Sequence, residues 1–445
     1  MSDGPESLTA PVATIGTLVP LRLVAIPLVS GLLAELFGWG VIAGAAPLNA
    51  GWYGQPSLLL GIHLVVIGGL LWPVVGAGWQ LSPVVVATPL SPGLVRLAGR
   101  VGPTAVAGAL LLWIGLGGVP WVGALGAALV IGALIARSAG LVPLLSRGLA
   151  RTPGPTGAPG PGGSRRVAIR LWLLSAEACL WGGLGYAALL YAGKLGYPVL
   201  VDPIAGVGHH FALLAVGWIG GWEVGLGALL LPMFALGREP PTGAFLVAGL
   251  AWFGGVLLGS VVLWAFGAAL AGGLLLLASR GGGVRVARGP GLAQARIALV
   301  GLLAVAAGAA MGVLTGPALV AGVAVAWLLP FQHGVALRVV PFLVWAHLLA
   351  GRSGSAPAAL ASARVGWAQV AATGVGGVLL VGGLAAGLEG VARAGAAALA
   401  MGAALHLVTV MGIGARAAAA WRAAVALPGT RARGATETRA GGATP

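Results

Sequence analysis

The stretch Gly208–Phe234, "GHHFALLAVGWIGGWEVGLGALLLPMF", holds a single carboxylate, Glu223, in a run long enough to cross a bilayer. A helix of about 20 apolar residues spans a hydrocarbon layer of roughly 30 Å. A lipid-facing strand would alternate apolar and polar residues, and this run does not. Similar runs recur along all 445 residues, of which 59% are hydrophobic and 7% charged. With a mean hydropathy of +1.02 the chain has too little polar surface to cover a soluble globule. The reading is an all-α polytopic membrane protein of about 12 transmembrane helices. The spans fall at 20–45, 57–80, 97–117, 119–140, 169–192, 208–234, 242–259, 260–279, 294–313, 317–340, 366–387 and 391–414.

The formal charge of +15 is a topology signal and not a nucleic-acid signature. Of the 24 Lys and Arg, all but Lys194 and Arg393 lie at span ends on the side shared by both termini. The positive-inside rule then places a multi-pass protein in the cell inner (plasma) membrane with both termini cytoplasmic. Its surroundings are the lipid bilayer, with no nucleic-acid partner. Met1–Pro20 contains Asp3 and Glu6 but no basic residue, so it does not read as a removable leader. Cys179 is the only cysteine, which excludes disulfide frameworks and thiolate metal clusters within the chain.

The whole chain reads as a single membrane domain. Residues 1–150 carry the first four helices, and a Pro/Gly-rich segment at 151–167 reads as a flexible cytoplasmic linker. The remaining helices occupy 168–427, and 428–445 reads as a disordered cytoplasmic tail.

Three spans end alike. Gly76, Gly225 and Gly334 each stand seven residues before a proline: Pro83, Pro232 and Pro341. Fifteen residues before the same prolines stand Gly68, Gly217 and Ala326. Small residues on one face let membrane helices approach closely. These are spans two, six and ten, so the pattern suggests three four-helix units with pseudo-threefold symmetry. With 80 glycines in the chain, coincidence is the competing explanation.

Twelve helices, a four-helix period and histidines on spans two and six resemble subunit I of the haem–copper oxidases. The segments His63–Val85, "HLVVIGGLLWPVVGAGWQLSPVV", and Gly334–His347, "GVALRVVPFLVWAH", are similar to divergent relatives of that subunit, a neighbourhood that includes the NnrS-type membrane haem proteins. "ALHLVTVMGIGAR" (Ala404–Arg416) resembles the HxLTVGxxG stretch of the NnrS type, with Val408 and Met411 departing from it. The resemblance implies a haem held in the outer third of the membrane, where His63, His209 and His210 lie, and partner subunits of the respiratory or electron-transfer kind.

Ionisable groups within spans default to a functional hypothesis. His63 and His210 are the candidate metal ligands, with His209 and His406 as further cofactor-binding candidates. Bis-imidazole ligation requires two nitrogens about 4 Å apart across the iron, from different helices. One of His209 and His210 would turn inward while the other faces the interface, since adjacent helical residues differ by about 100°. For each histidine the alternative is a neutral imidazole bonded to a neighbouring helix or to water. His333 and His347 read as packing or interfacial residues.

Span seven, "TGAFLVAGLAWFGG" (Thr242–Gly255), lacks the family's copper histidines, so no copper is expected. Span ten has Ala321 where the repeat places His63. What the resemblance still implies is haem at one site at most, serving electron transfer or the handling of a diatomic gas. The alternative is a metal-free twelve-helix transporter or assembly protein. No catalytic residue is assigned: there is no Walker loop, HExxH or nucleophile elbow. Glu35, Glu177 and Glu223 each lie within a span and are protonated, paired or on an ion path. The 16 tryptophans, with Trp39, Trp52, Trp121 and Trp345 near span ends, read as interfacial anchors.

Overall fold

Backbone groups in hydrocarbon must be hydrogen-bonded within their own segment, so apolar runs of this length become helices. A computed structural model describes residues 19–45, 55–147, 149, 161–199, 201–281, 289–350 and 356–426, and has no strand among them. Twelve long helices follow in order: α1 Arg22–Gly44, α2 Pro56–Val86, α3 Pro92–Leu116, α4 Pro120–Ser146, α5 Pro161–Lys194, α6 Pro203–Ala235, α7 Thr242–Leu258, α8 Val261–Ala278, α9 Pro290–Ala310, α10 Gly316–Leu348, α11 Ala363–Ala385 and α12 Glu389–Ala426. All but the shorter α7 are long and apolar enough to cross a membrane. The alternating run of twelve helices leaves the start of α1 and the end of α12 on one face of the bundle, the terminal face.

Local chemistry sets the helix starts. Proline stands at the first turn of α2, α3, α4, α6, α9 and α10, where its missing N–H costs nothing. Ser91, Asp202, Ser260 and Ser362 cap α3, α6, α8 and α11 by accepting from a backbone N–H of the first turn. α5 begins at Pro161, so the last part of the segment expected to be a linker is helix instead. Arg165 there donates to the Ala228 carbonyl at 2.7 Å and pairs with Glu239. The expectations for the linker at 151–160, the tail at 428–445 and the leader at 1–18 fall outside the described residues.

The packing repeats three times. In each unit the third and fourth helices form a hairpin: α3 with α4, α7 with α8, α11 with α12. The first helix of each unit packs on the second: α1 on α2, α5 on α6, α9 on α10. The fourth helix of one unit meets the first of the next, α4 with α5, α8 with α9, and α12 with α1 closes the ring. The second helices α2, α6 and α10 meet one another at the centre. Of their most apolar stretches 67, 89 and 72% of residues are buried, against 33–56% in the other helices of membrane length.

Each central helix also widens into a π-helical segment, at Leu64–Leu71, Ala212–Gly220 and Val323–Leu328. Such bulges are rare and gather at functional sites. Gly68, Gly217 and Ala326 lie inside these segments and pack on the first helix of their own unit. Gly68 meets Gly31 and Ala34, Gly217 meets Cys179, and Ala326 meets Gly301. The later glycines face the same helices with graded closeness. A Cβ on Gly334 would stand 2.6 Å from the Ala295 nitrogen, one on Gly225 2.9 Å from the Leu173 side chain, and one on Gly76 an ordinary 3.6 Å from Val24.

The tryptophans correct the expectation of a purely interfacial role. Trp121 is exposed, but Trp79, Trp218, Trp222, Trp252 and Trp327 are fully buried. Trp252 stands 5.3 Å from Trp327 and 6.0 Å from Trp172, ring centre to ring centre. Glycine makes the room: Gly220 faces the Trp327 ring and Gly249 the Trp172 ring.

Candidate functional site

Buried polar links tie the four-helix units to one another. Between units one and two, Arg137 on α4 donates to Glu177 on α5 at 2.7 Å, with the side chains 0% and 1% exposed. The same carboxylate oxygen accepts from Trp222 at 2.7 Å and Trp218 at 3.1 Å, both on α6. The guanidinium lies 4.7 Å from the Trp222 ring centre and 5.5 Å from that of Trp218. Cation–π attraction therefore supplements the ion pair. Gly78 on α2 leaves the space that the guanidinium fills. Sequence reading assigned Arg137 to the basic rim of the membrane, but it is inside the bundle.

Between units three and one, Glu35 on α1 stands 3.0 Å from His333 Nε2 on α10 and accepts from Trp39. The His333 ring meets the His406 ring of α12 edge to face, with centroids 4.3 Å apart. Gln369 on α11 donates from Nε2 to His406 Nδ1 at 2.9 Å and to Gln294 Oε1 on α9 at 3.3 Å. An amide N–H donating to Nδ1 assigns the neutral His406 proton to Nε2. Likewise the carboxylate assigns the His333 proton to its own Nε2. His333, expected to be a packing or interfacial residue, is thus a buried member of a five-helix polar chain. Trp39, expected at the interface, is 3% exposed and belongs to the same chain.

The third link joins all three units on the axis. Gln332 on α10 donates from one nitrogen to the Leu70 carbonyl of α2 at 3.1 Å and to Glu223 of α6 at 2.9 Å. Glu223 and Gln332 are equivalent in the repeat, each nine residues before its proline, and the third position is Val74. Two cavities lie on either side of this contact. One, of about 100 Å³, opens in the half away from the terminal face and counts Trp39, Leu70, Phe211, Ala324 and Leu328 among its walls. The other, of about 110 Å³, lies in the terminal half, with Gln80, Trp222, Glu223, Phe331 and Gln332 among its walls.

The remaining histidines bond mainly to backbone carbonyls. His209 is exposed, bonds Ala205 of its own helix at 2.7 Å and stacks on Tyr186. His210 is half-buried, with Nδ1 3.2 Å from the Gly183 carbonyl of α5. His63 is half-buried, with Nδ1 2.9 Å from the Leu59 carbonyl. His347 bonds Leu343 and Val19 through its two nitrogens. His406 is brought to His333.

A haem ligated by His63 and His210 can be tested against these residues. Their donor chemistry fits: a ligating imidazole usually commits one nitrogen to a carbonyl or carboxylate and offers the other. The space does not fit: neither imidazole lines the apolar cavity on that half, which at about 100 Å³ is also smaller than the ~300–1,000 Å³ of pockets that take drug-sized ligands. Among the described residues no group of three or more His, Cys, Asp or Glu is arranged to hold a metal ion.

Fold and site together define a polytopic helical membrane protein whose three units are tied by buried polar links around a central axis. No protein-family model matches the sequence, and a search of curated proteins finds no significant match.

Sequence reading singled out Glu35, Glu177 and Glu223 but missed their partners His333, Arg137 and Gln332, and missed the Gln369–Gln294 pair that continues from His406. The available signal was the amides: a glutamine inside an apolar span is costly unless it is hydrogen-bonded.

Proposed function

We propose that this chain is a metal-free twelve-helix transporter that moves a small solute along the axis of α2, α6 and α10. The observation that carries this reading is the end-to-end pair of cavities, one in each half of the bundle, closed from each other at the Leu70–Gln332–Glu223 contact. In this reading, movement of the Gln332 side chain releases both hydrogen bonds at the contact. The distribution of Lys and Arg supports a plasma-membrane protein with both termini in the cytoplasm, so the terminal-half cavity faces the cytoplasm.

The test is accessibility in sealed vesicles, in a Cys179→Ala background. Ala324→Cys lines the outer cavity and Ala336→Cys the inner one. Each is expected to react with a small charged thiol reagent from its own side. Adding Gln332→Ala removes two hydrogen bonds worth about 0.5–1.5 kcal/mol each, and should raise labelling from the far side by about fivefold to a hundredfold. Cysteines that react from neither side would overturn the route.

A second reading, a one-haem protein of the oxidase-like or NnrS-like type working with electron-transfer subunits, is favoured by the tethering of His63 and His210 through Nδ1. A Soret band in protein purified from haem-replete cells, abolished by His63→Ala, would replace the transporter reading with this one.

A further inference from the structure

The polar chain at the junction of units three and one brings three titratable groups together from three helices. Glu35 of α1, His333 of α10 and His406 of α12 are each no more than 4% exposed. Glu35 Oε2 and His333 Nε2 stand 3.0 Å apart, a hydrogen-bond distance that requires a proton between the two atoms. A carboxylate beside two neutral imidazoles carries one net negative charge. One further proton turns the cluster into an ion pair with no net charge, which costs less in hydrocarbon.

No other group competes for that role. Among the described residues no Lys or Arg pairs with Glu35. Arg296 of α9 bonds Ser279, Arg338 of α10 lies against Gly289, and Arg416 of α12 bonds the Leu360 carbonyl. From α2 only Gly69 meets the Glu35 carboxyl, α11 supplies the Gln369 amide, and Glu223 of α6 is reached only through Gln332.

The chain has places for the added proton. His333 Nδ1 is buried and has no hydrogen-bond partner among the described residues. On the other ring, Gln369 Nε2 serves both His406 Nδ1 and Gln294 Oε1, while Gln369 Oε1 and Gln294 Nε2 have no such partner. An amide that donates in one orientation accepts in the other. Turning both amides lets Gln369 Oε1 accept from Gln294 Nε2 and from an N–H at His406 Nδ1. A charged His406 ring is then bonded as well as the neutral one.

The two ends of the chain lead to opposite sides. Gln294 and Gln369 lie in the first two turns of α9 and α11, which begin at the terminal face. Glu35 accepts from Trp39, which stands in the wall of the outer cavity. His333 directly follows Gln332, so one turn of α10 carries both this cluster and the contact that separates the cavities.

We infer that Glu35, His333 and His406 form a site that binds one proton. The proton adds to the lone pair of His333 Nδ1 or His406 Nδ1, no bond between heavy atoms changes, and the Glu35 carboxylate is the counter-charge of the imidazolium. The inference names the proton as the coupling ion of the proposed transporter and rests on that reading for its role in transport, but the site itself rests on the polar chain.

The test is ¹⁵N NMR of the full-length protein in detergent with ring-labelled histidine, which separates imidazolium from the two neutral tautomers. Signals are assigned by their loss in His333→Gln and His406→Gln. From about pH 8 to about pH 5, the range in which histidine changes charge, the two rings should titrate together and take up one proton between them. Glu35→Gln keeps the shape and removes the counter-charge, so uptake should need at least about tenfold more acid. Gln369→Leu removes the turning amide and should leave the proton on His333 alone, and serves if the first variant does not fold. Rings whose charge is constant across the range, or a titration that neither variant alters, would overturn the site. Titrating rings with cysteines that are unreactive from both sides would retain the site and overturn transport. Labelled cysteines beside rings that do not titrate would do the reverse.

Discussion

Arg137→Ala is expected to abolish most folded protein, with Glu177→Ala close behind. The pair is 2.7 Å apart and essentially fully buried, and Glu177 is also the acceptor for the indoles of Trp218 and Trp222. Removing one partner of a buried pair leaves an uncompensated charge and costs about 3–5 kcal/mol. That is a large share of the ~5–15 kcal/mol by which proteins are stable. The link also fastens unit one to unit two, so its loss should free α5 and α6 from α4. The double variant Arg137→Met/Glu177→Gln removes both charges at similar volume and should recover most of the loss. Size-exclusion profiles and Tm of detergent extracts read both outcomes. A single variant that melts with the wild type would show that the pair contributes nothing to stability.

The second large effect is expected at Gly301. A Cβ there would overlap the Ala326 carbonyl oxygen in the π segment of α10, and a Cβ on Gly334 would stand 2.6 Å from both the Ala295 nitrogen and the Gly291 oxygen. Backbone atoms cannot swing aside as side chains do. Overpacking of this kind costs about 1–3 kcal/mol or more. Gly301→Ala and Gly334→Ala should therefore lower Tm by several degrees, whereas Gly76→Ala, with its nearest neighbour at 3.6 Å, should melt with the wild type. Equal behaviour of all three would mean that α9 and α10 do not approach as described.

The Gly–Pro spacing was a true sign of the repeat, although its glycines are not equally close to their neighbours. Composition alone could not separate this from coincidence, because glycine is abundant everywhere. What distinguishes the three helices is burial and a π segment apiece, and a π bulge has no residue signature. His210 and His209 divide as adjacent helical positions must, one half-buried toward α5 and one exposed. The pairing of His333 with Glu35 and His406 joins residues 298 positions apart in one contact and unites α1, α10 and α12. Helical period says which face a residue occupies and nothing about which distant face it meets.

The sequence by itself determined the material of this protein: twelve helices, their approximate ends, their four-helix period and the three acids that would have to be satisfied inside. It could do so because hydrocarbon allows a long apolar segment only one backbone solution, and proline and capping residues mark where each begins. Only the tertiary structure decided which helices are central, that Arg137 faces Glu177 and not water, that ten tryptophans among the described residues are buried, and that Gln332 reaches both Leu70 and Glu223 on the axis. Those are relations between segments far apart in the chain, set by the packing of small-residue faces around an axis, and no local pattern encodes them.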